Sequence, residues 1–200
     1  MTDQELAELI ALGHETRGVE FKGPGRSSNR QVMAVVVRAV LGMANRRDGG
    51  RVIIGIEDNA AILTPVGLSA AELTTWRFDD VAARLSEYAD PGVEFALEVK
   101  EYNGKKYVIL HIEEFTEIPV LCNRDYPEVQ RSGACYVRSR RKPETSEIPT
   151  QTDMRELLDL ASDKAVIRRS TEYRRMGLMP DVPLVVADQD RFDDQAGELR

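Results

Sequence analysis

The hydrophobic positions change period several times along the chain, and each change marks an expected element. Thr2-x-x-Glu5 has the form of a capping box opening a short helix through about Leu12, where Gly13 breaks it. Val19 and Phe21 alternate with Glu20 and Lys22, which predicts a short strand with a polar face, closed by the turn residues Gly23-Pro24-Gly25. Ser28-x-x-Gln31 reads as a second capping box. Val32, Val36, Ala39, Val40 and Met43 follow it at helical spacing. The run Val35-Val36-Val37 suggests a strand, but the segment 28–45 is too long for an ordinary one. After Asp48-Gly49-Gly50, the nearly unbroken apolar run Arg51–Ile56 predicts a central strand buried on both faces.

Farther on, Ser69-x-x-Glu72 caps a helical turn, and 75–89 continues as helix until Asp90-Pro91-Gly92. Asn103-Gly104 between the alternating runs 93–102 and 105–113 is a strong hairpin signal. Short strands are expected near 118–122 and 134–139. Asp153-x-x-Glu156 opens a final helix with Met154, Leu157, Leu158 and Ala161 on its apolar side. Helices mixed with hairpins and no regular βαβ alternation predict an α+β fold: a mixed, largely antiparallel sheet with flanking helices. The character changes after Ser162. Residues 1–162 read as one domain, and 163–200 as a basic helix followed by an acidic, Pro-containing tail or linker.

Composition narrows the class. With 42% hydrophobic and 30% charged residues the chain is globular. No apolar run approaches the roughly 20 residues of a membrane span. The acidic, polar start lacks the pattern of a secretory signal, so the expected compartment is a reducing cytoplasm, with Cys122 and Cys135 as free structural thiols. The net charge of −7 argues at first against a nucleic-acid partner, but its distribution argues for one. From Arg17 to Arg51 there are eight basic residues and two acids, and from Arg124 to Lys142 six and two. Either cluster alone is commonly a solvated face.

Glu15, Glu20, Lys22 and Asp58 are the candidate catalytic residues. Glu20 and Lys22 share a strand face by the two-residue period. Asp58 follows the central strand, where active-site groups commonly sit. If the two strands are neighbours, carboxylates meet beside a lysine, and close like charges need a counter-charge. A divalent cation held by Glu15, Glu20 and Asp58 would supply it, and hard oxygen ligands suit Mg²⁺ or Mn²⁺. By itself a Glu-x-Lys in a chain with 34 acids is a weak motif, and strand-end acids often bind loop amides. Arg46, Arg47, Arg138, Arg140 and Arg141, clustered in loops and at strand ends, are the expected phosphate contacts.

Several of these segments together resemble the Schlafen AlbA-type domain, once catalogued as a divergent AAA family. They are Glu15-Thr-Arg-Gly-Val-Glu20-Phe-Lys22, Ala44-Asn45 with Gly49-Gly50, Val52-Ile-Ile-Gly-Ile-Glu-Asp58, Gly67 and Gly133-Ala-Cys-Tyr-Val-Arg-Ser139. The resemblance runs from about residue 10 to 162. It implies that Glu15, Glu20 and Asp58 occupy the family's catalytic acid positions. It further implies a metal-dependent endoribonuclease acting on structured RNA such as tRNA, with a role in defence against phage. The turn after Asn45 is one residue longer than usual, and a single domain copy stands where animal members carry two. A single copy predicts a homodimer.

The ATP reading suggested by the older family name lacks a G-x-x-x-x-G-K-[ST] loop. A Ser–His–Asp arrangement has only His14 and His111 to draw on, and His111 reads as a packed or rim histidine. Two classes therefore stand side by side: the endoribonuclease, and a non-catalytic nucleic-acid-binding or transcription-regulatory module using the same basic face. Aromatic content of 6% disfavours a stacking platform and suits recognition of backbone and shape.

Overall fold

The computed structural model describes residues 2–59, 62–140 and 144–178. Helix α1 spans Asp3–Leu12, with Thr2 and Glu5 forming the expected reciprocal capping box and Gly13 ending the helix at φ +69°. Strand β1 is Val19–Lys22 and helix α2 is Arg30–Ala44. The α2 N-cap is Asn29, not Ser28: its side-chain oxygen accepts from the amides of Gln31 and Val32. An Asn side chain at this position satisfies two orphan helix donors without needing Gln31 to reach back.

Strand β2 is Gly50–Ile54 and stops earlier than the apolar run suggests. Gly55 adopts φ +115°, and a Cβ there would sit 3.0 Å from Leu68 and Tyr107. That glycine takes the chain out of the sheet into a separate hairpin, β3 (Ile56–Asn59) and β4 (Ile62–Pro65). Helices α3 (Ala70–Leu73) and α4 (Phe78–Tyr88) follow, separated at Thr74–Arg77 rather than continuous, with the Ser69–Glu72 capping box in place. After β5 (Ala89–Asp90) come β6 (Phe95–Tyr102) and β7 (Lys105–Ile112). Asn103 and Gly104 both have positive φ in the turn between them, as a two-residue hairpin requires. The short strands β8 (Leu121–Cys122), β9 (Tyr136–Arg138) and β10 (Thr145–Glu147) precede α5 (Gln151–Arg175).

The main sheet has the order β1-β2-β7-β6, with β1 parallel to β2 and the other pairs antiparallel. This is the expected α+β architecture with a mixed, mostly antiparallel sheet. Both faces of β2 are covered. On one side Val52 and Ile54 pack with Val108, Leu110 and the apolar stripe of α2. On the other, Ile53 packs with Leu6 of α1, Val19, Phe21, Tyr107 and Ile109. Each fully buried aliphatic side chain contributes about 1.5–3 kcal/mol, so this double-sided layer fixes the β1–β2 pair firmly.

The start of α5 also differs from expectation. Thr150 is the capping residue: its hydroxyl accepts from the Asp153 amide and donates to the Asp153 carboxylate. Leu157 and Leu160 are buried, whereas Met154 and Leu158 face outward. The chain divides into a compact unit of residues 1–164 and a second unit of 165–200. The described part of the second unit is the last stretch of α5 to Arg175 and a turn through Leu178. The acidic tail lies outside the described residues beyond that point.

Candidate functional site

β1 and β2 are neighbours, pairing Glu20 with Val52 and Lys22 with Ile54. Period-two alternation then sets Glu20 and Lys22 on one face, and Lys22 Nζ lies 2.6 Å from Glu20 Oε1. Glu20 is only 3% exposed. Its other oxygen accepts from Arg138 Nη1 at 2.8 Å and from the Thr145 hydroxyl at 2.6 Å. Burial pushes the Glu20 carboxyl up, but Lys22, Arg138 and Thr145 outweigh it and hold the group below the usual carboxylate range. Glu15 behaves oppositely. Burial and the Glu20 charge outweigh the Phe21 amide, Lys22 and Arg138, so its carboxyl is raised.

Arg138, an expected phosphate contact, does not reach the surface. It is 1% exposed, and its guanidinium donates to Glu20, to the Thr16 and Val19 carbonyls, and to the Arg17 carbonyl, with Glu15 Oε2 at 3.4 Å. A buried arginine needs a carboxylate and filled donors, and here it has both. Glu15 and Arg138 do a second thing together. Glu15 Oε1 accepts from the Phe21 amide at 2.8 Å, and Arg138 Nη2 donates to the Val19 carbonyl at 3.2 Å. An acceptor and a donor are thereby presented to the outer side of β1, in the places where the backbone of another strand would present them.

Asp58 is not in a loop beyond the central strand. It sits on β3 opposite Leu63 and is exposed. It shares the strand face of Ile56, which packs with Val19 and Phe21, so alternation sets it away from the Glu20–Lys22 face. The neighbouring Glu57 comes alongside the end of β1, its Cγ 3.9 Å from where a Cβ on Gly23 would lie. Among the described residues no three His, Cys, Asp or Glu side chains come together closely enough to hold a metal ion. Both oxygens of Glu20 and Glu15 Oε1 already accept from protein donors, and Glu15 Oε2 faces Arg138. As folded, Glu15, Glu20 and Asp58 do not fit a divalent cation; Arg138 and Lys22 supply the positive charge instead.

Arg17, Arg47, Arg140 and Arg155 gather near the start of α5. Arg17 Nη2 and Arg140 Nε bind the same oxygen of Glu156, at 2.6 and 3.0 Å, and Arg17 Nε also donates to the Arg138 carbonyl. Arg47 and Arg140 line one depression of about 360 Å³ with Arg155, Thr152, Glu156 and Asp159. Arg47 pairs with Asp163. Arg46 is half-buried beside Gly18, its guanidinium donating to the Gly49 carbonyl, and it opens onto a different cavity with Arg51 and His111. Arg141 lies outside the described residues. His111 is on β7 with Nε2 2.6 Å from Glu98, a rim histidine as expected, and His14 is exposed. Thr145, Arg17 and Arg155 belong to these clusters without having been singled out in the sequence. Arg17 lay in plain view within the first basic segment, whereas Thr145 and Arg155 carry no signal before the fold brings them in.

Comparison with known proteins gives one family and several distant structural likenesses, two of them as follows. The chain is similar to the DIP2311 protein from Corynebacterium diphtheriae (17% identity, TM-score 0.49), over 73% of this chain and 26% of that one. It is also similar to the N-terminal domain of a RecG-related protein from Nitrosomonas europaea (19% identity, TM-score 0.46), over 66% of this chain and 88% of that one. The chain spans about a quarter of the Corynebacterium protein's length. No curated protein matches the sequence. The Schlafen, AlbA_2 family model matches residues 15–146, which takes in Glu15, β1, α2, the whole main sheet and Arg138. The chain belongs to the Schlafen AlbA_2 family.

Proposed function

We propose that this chain is a nucleic-acid-binding module that grips the backbone of folded RNA through the arginines at the start of α5. The observation that carries this reading is the shared depression of Arg47, Arg140 and Arg155, with Arg17 anchored behind it on Glu156. The side chains of Arg47 and Arg140 are 52% and 62% exposed. Exposed ion pairs such as theirs are worth about 0–1 kcal/mol, so each guanidinium can exchange a carboxylate for a phosphate at little cost. Guanidinium forks match phosphate oxygens geometrically. Family membership supports work on nucleic acid, and the low aromatic content supports recognition of backbone over base stacking.

A metal-dependent endoribonuclease acting on structured RNA such as tRNA, with Mg²⁺ or Mn²⁺, is the second reading. It is favoured by the complete acid set Glu15, Glu20 and Asp58 with Lys22, and by two adjacent glutamates whose carboxyls are shifted in opposite directions. It requires Asp58 to come to the Glu20 side and the Arg138 contacts to open. One experiment separates the two readings. Pure protein is incubated with folded tRNA, with Mn²⁺ or with EDTA, and binding and cleavage are followed together. Salt-dependent binding with intact RNA in both arms is the expected result. Cleavage in Mn²⁺ that stops in EDTA and in Asp58→Asn would replace it with the nuclease reading, and absence of binding would remove both.

A further inference from the structure

The two edges of the main sheet are treated differently. The outer side of β1 is met by Glu15 and Arg138, as described above. The opposite edge is β6, eight residues long, and among the described residues no strand pairs with its outer side. A long strand edge presents a row of backbone donors and acceptors that another strand can complete. Helix α1 packs beside β6, and Lys100 reaches Asp3 at 3.5 Å. Val99 is 48% exposed in the middle of this strand.

We propose that β6 pairs antiparallel with β6 of a second copy, about a two-fold axis passing through Val99. The register follows from the sequence Phe95-Ala-Leu-Glu-Val-Lys-Glu-Tyr102. In a two-fold antiparallel pair the opposed positions add up to a constant, and side chains on one face oppose only side chains on the same face. With Val99 on the axis, Glu98 of each copy opposes Lys100 of the other, and the two exposed valines face each other. Shifting the axis to Glu98 opposes glutamate to glutamate. Shifting it to Lys100 opposes lysine to lysine. Opposite charges directly across a strand pair stabilise it by about 0.2–1 kcal/mol each and like charges destabilise it, so the Val99 register is selected over its neighbours. Within one copy Glu98 and Lys100 are 4.0 Å apart at their closest atoms, with His111 2.6 Å from Glu98 and Asp3 3.5 Å from Lys100, and the pair across the axis adds to these contacts. A single strand pair is a small contact, so association is expected to depend on concentration.

The test is sedimentation equilibrium without nucleic acid, which separates its outcome from the function proposed above. Wild type self-associates at tens of micromolar. Glu98→Lys and Lys100→Glu, each checked for folding by circular dichroism, weaken association about tenfold, because two attractive pairs become repulsive. The double variant Glu98→Lys/Lys100→Glu restores it. Since Glu98 also contacts His111, a second measurement works through an exposed position only. Val99→Cys opposes itself across the axis at a Cα separation of about 4.5–5.5 Å, within disulfide reach. Under mild oxidation it cross-links into dimers, well above the background from Cys122 and Cys135, whereas Glu101→Cys, which opposes Leu97, does not. A wild type that stays monomeric throughout overturns the proposal. So does a double variant no better than the single ones, or a Val99→Cys that cross-links no faster than Glu101→Cys.

Discussion

Two glutamates five residues apart hold their protons differently, and the reason is which partners each one meets. Glu20 faces Lys22, Arg138 and Thr145 and is almost wholly buried; Glu15 has one backbone amide, a longer contact to Arg138 and the repulsion of Glu20. The lowered Glu20 carboxyl contributes stability that is present above the unfolded glutamate range and lost as pH falls through its folded value. The raised Glu15 carboxyl does the reverse: its contribution is present below the unfolded range and lost as pH rises through its folded value. Urea unfolding across this range will separate them. Glu20→Gln breaks a buried pair and lowers stability at neutral pH by about 3–5 kcal/mol, with a flatter acid-side decline. Glu15→Gln keeps an oxygen for the Phe21 amide and removes the loss that accompanies Glu15 ionisation. Its stability at neutral pH stays level or rises, and a fall as large as that of Glu20→Gln would refute the assignment.

Among the elements, α2 and the strands beside it owe their arrangement to small side chains and one amide. Asn45, just past α2, is 5% exposed. Its side chain donates to the carbonyls of Val120 and Tyr136 at 2.7 and 2.9 Å and accepts from the Val120 amide at 2.8 Å. The helix end is thereby tied to the segments around β8 and β9. Asn45→Ala leaves three buried backbone groups without these partners, at about 1–3 kcal/mol each, and is expected to lower the urea midpoint more than any substitution on the exposed face of α5. Gly49 has φ +59°, and a Cβ on it would run into the Ile112 carbonyl, while a Cβ on Gly50 would run into Met43. Asn45, Gly49 and Gly50 were legible as a motif, but their roles were not, because every partner lies more than 60 residues away or in another layer. Local signals carried farthest where the answer was local: the Thr2 and Ser69 boxes, the Asn103-Gly104 turn and the central strand. They failed where tertiary geometry decided, as with Gly55 ending β2 early and Arg138 turning inward, whereas the Thr150-x-x-Asp153 cap of α5 is itself a local signal.

At the scale of the whole molecule, a net charge of −7 coexists with a concentrated arginine cluster, and charge distribution matters more than its sum. Each arginine that touches phosphate on binding should contribute about one unit to the salt slope. Fluorescence anisotropy with folded RNA at two salt concentrations is expected to show Arg140→Ala and Arg155→Ala weakening binding and flattening that slope. Asp163→Asn frees Arg47 from its ion pair and removes a negative charge from the rim, and should tighten binding about threefold. Arg138→Lys, by contrast, perturbs stability before it perturbs affinity, since that side chain is enclosed. Cys122 and Cys135 are free, and burial pushes the Cys135 thiol up to about 11, so neither group competes for these roles at neutral pH. Among the described residues no helix is long and apolar enough to cross a membrane.

The bonds from Glu15 and Arg138 to the outer side of β1 also bear on how family resemblance is read. Any chain built on this sheet needs an acid at Glu15 and an arginine at Arg138 to keep that flank from recruiting foreign chains, and Glu20 to neutralise the arginine. Two of the three acids that carry the resemblance are thus accounted for by a closed sheet edge, whatever else they do. Asp58, which has no part in those bonds, is the one of the three whose presence the sheet edge does not explain.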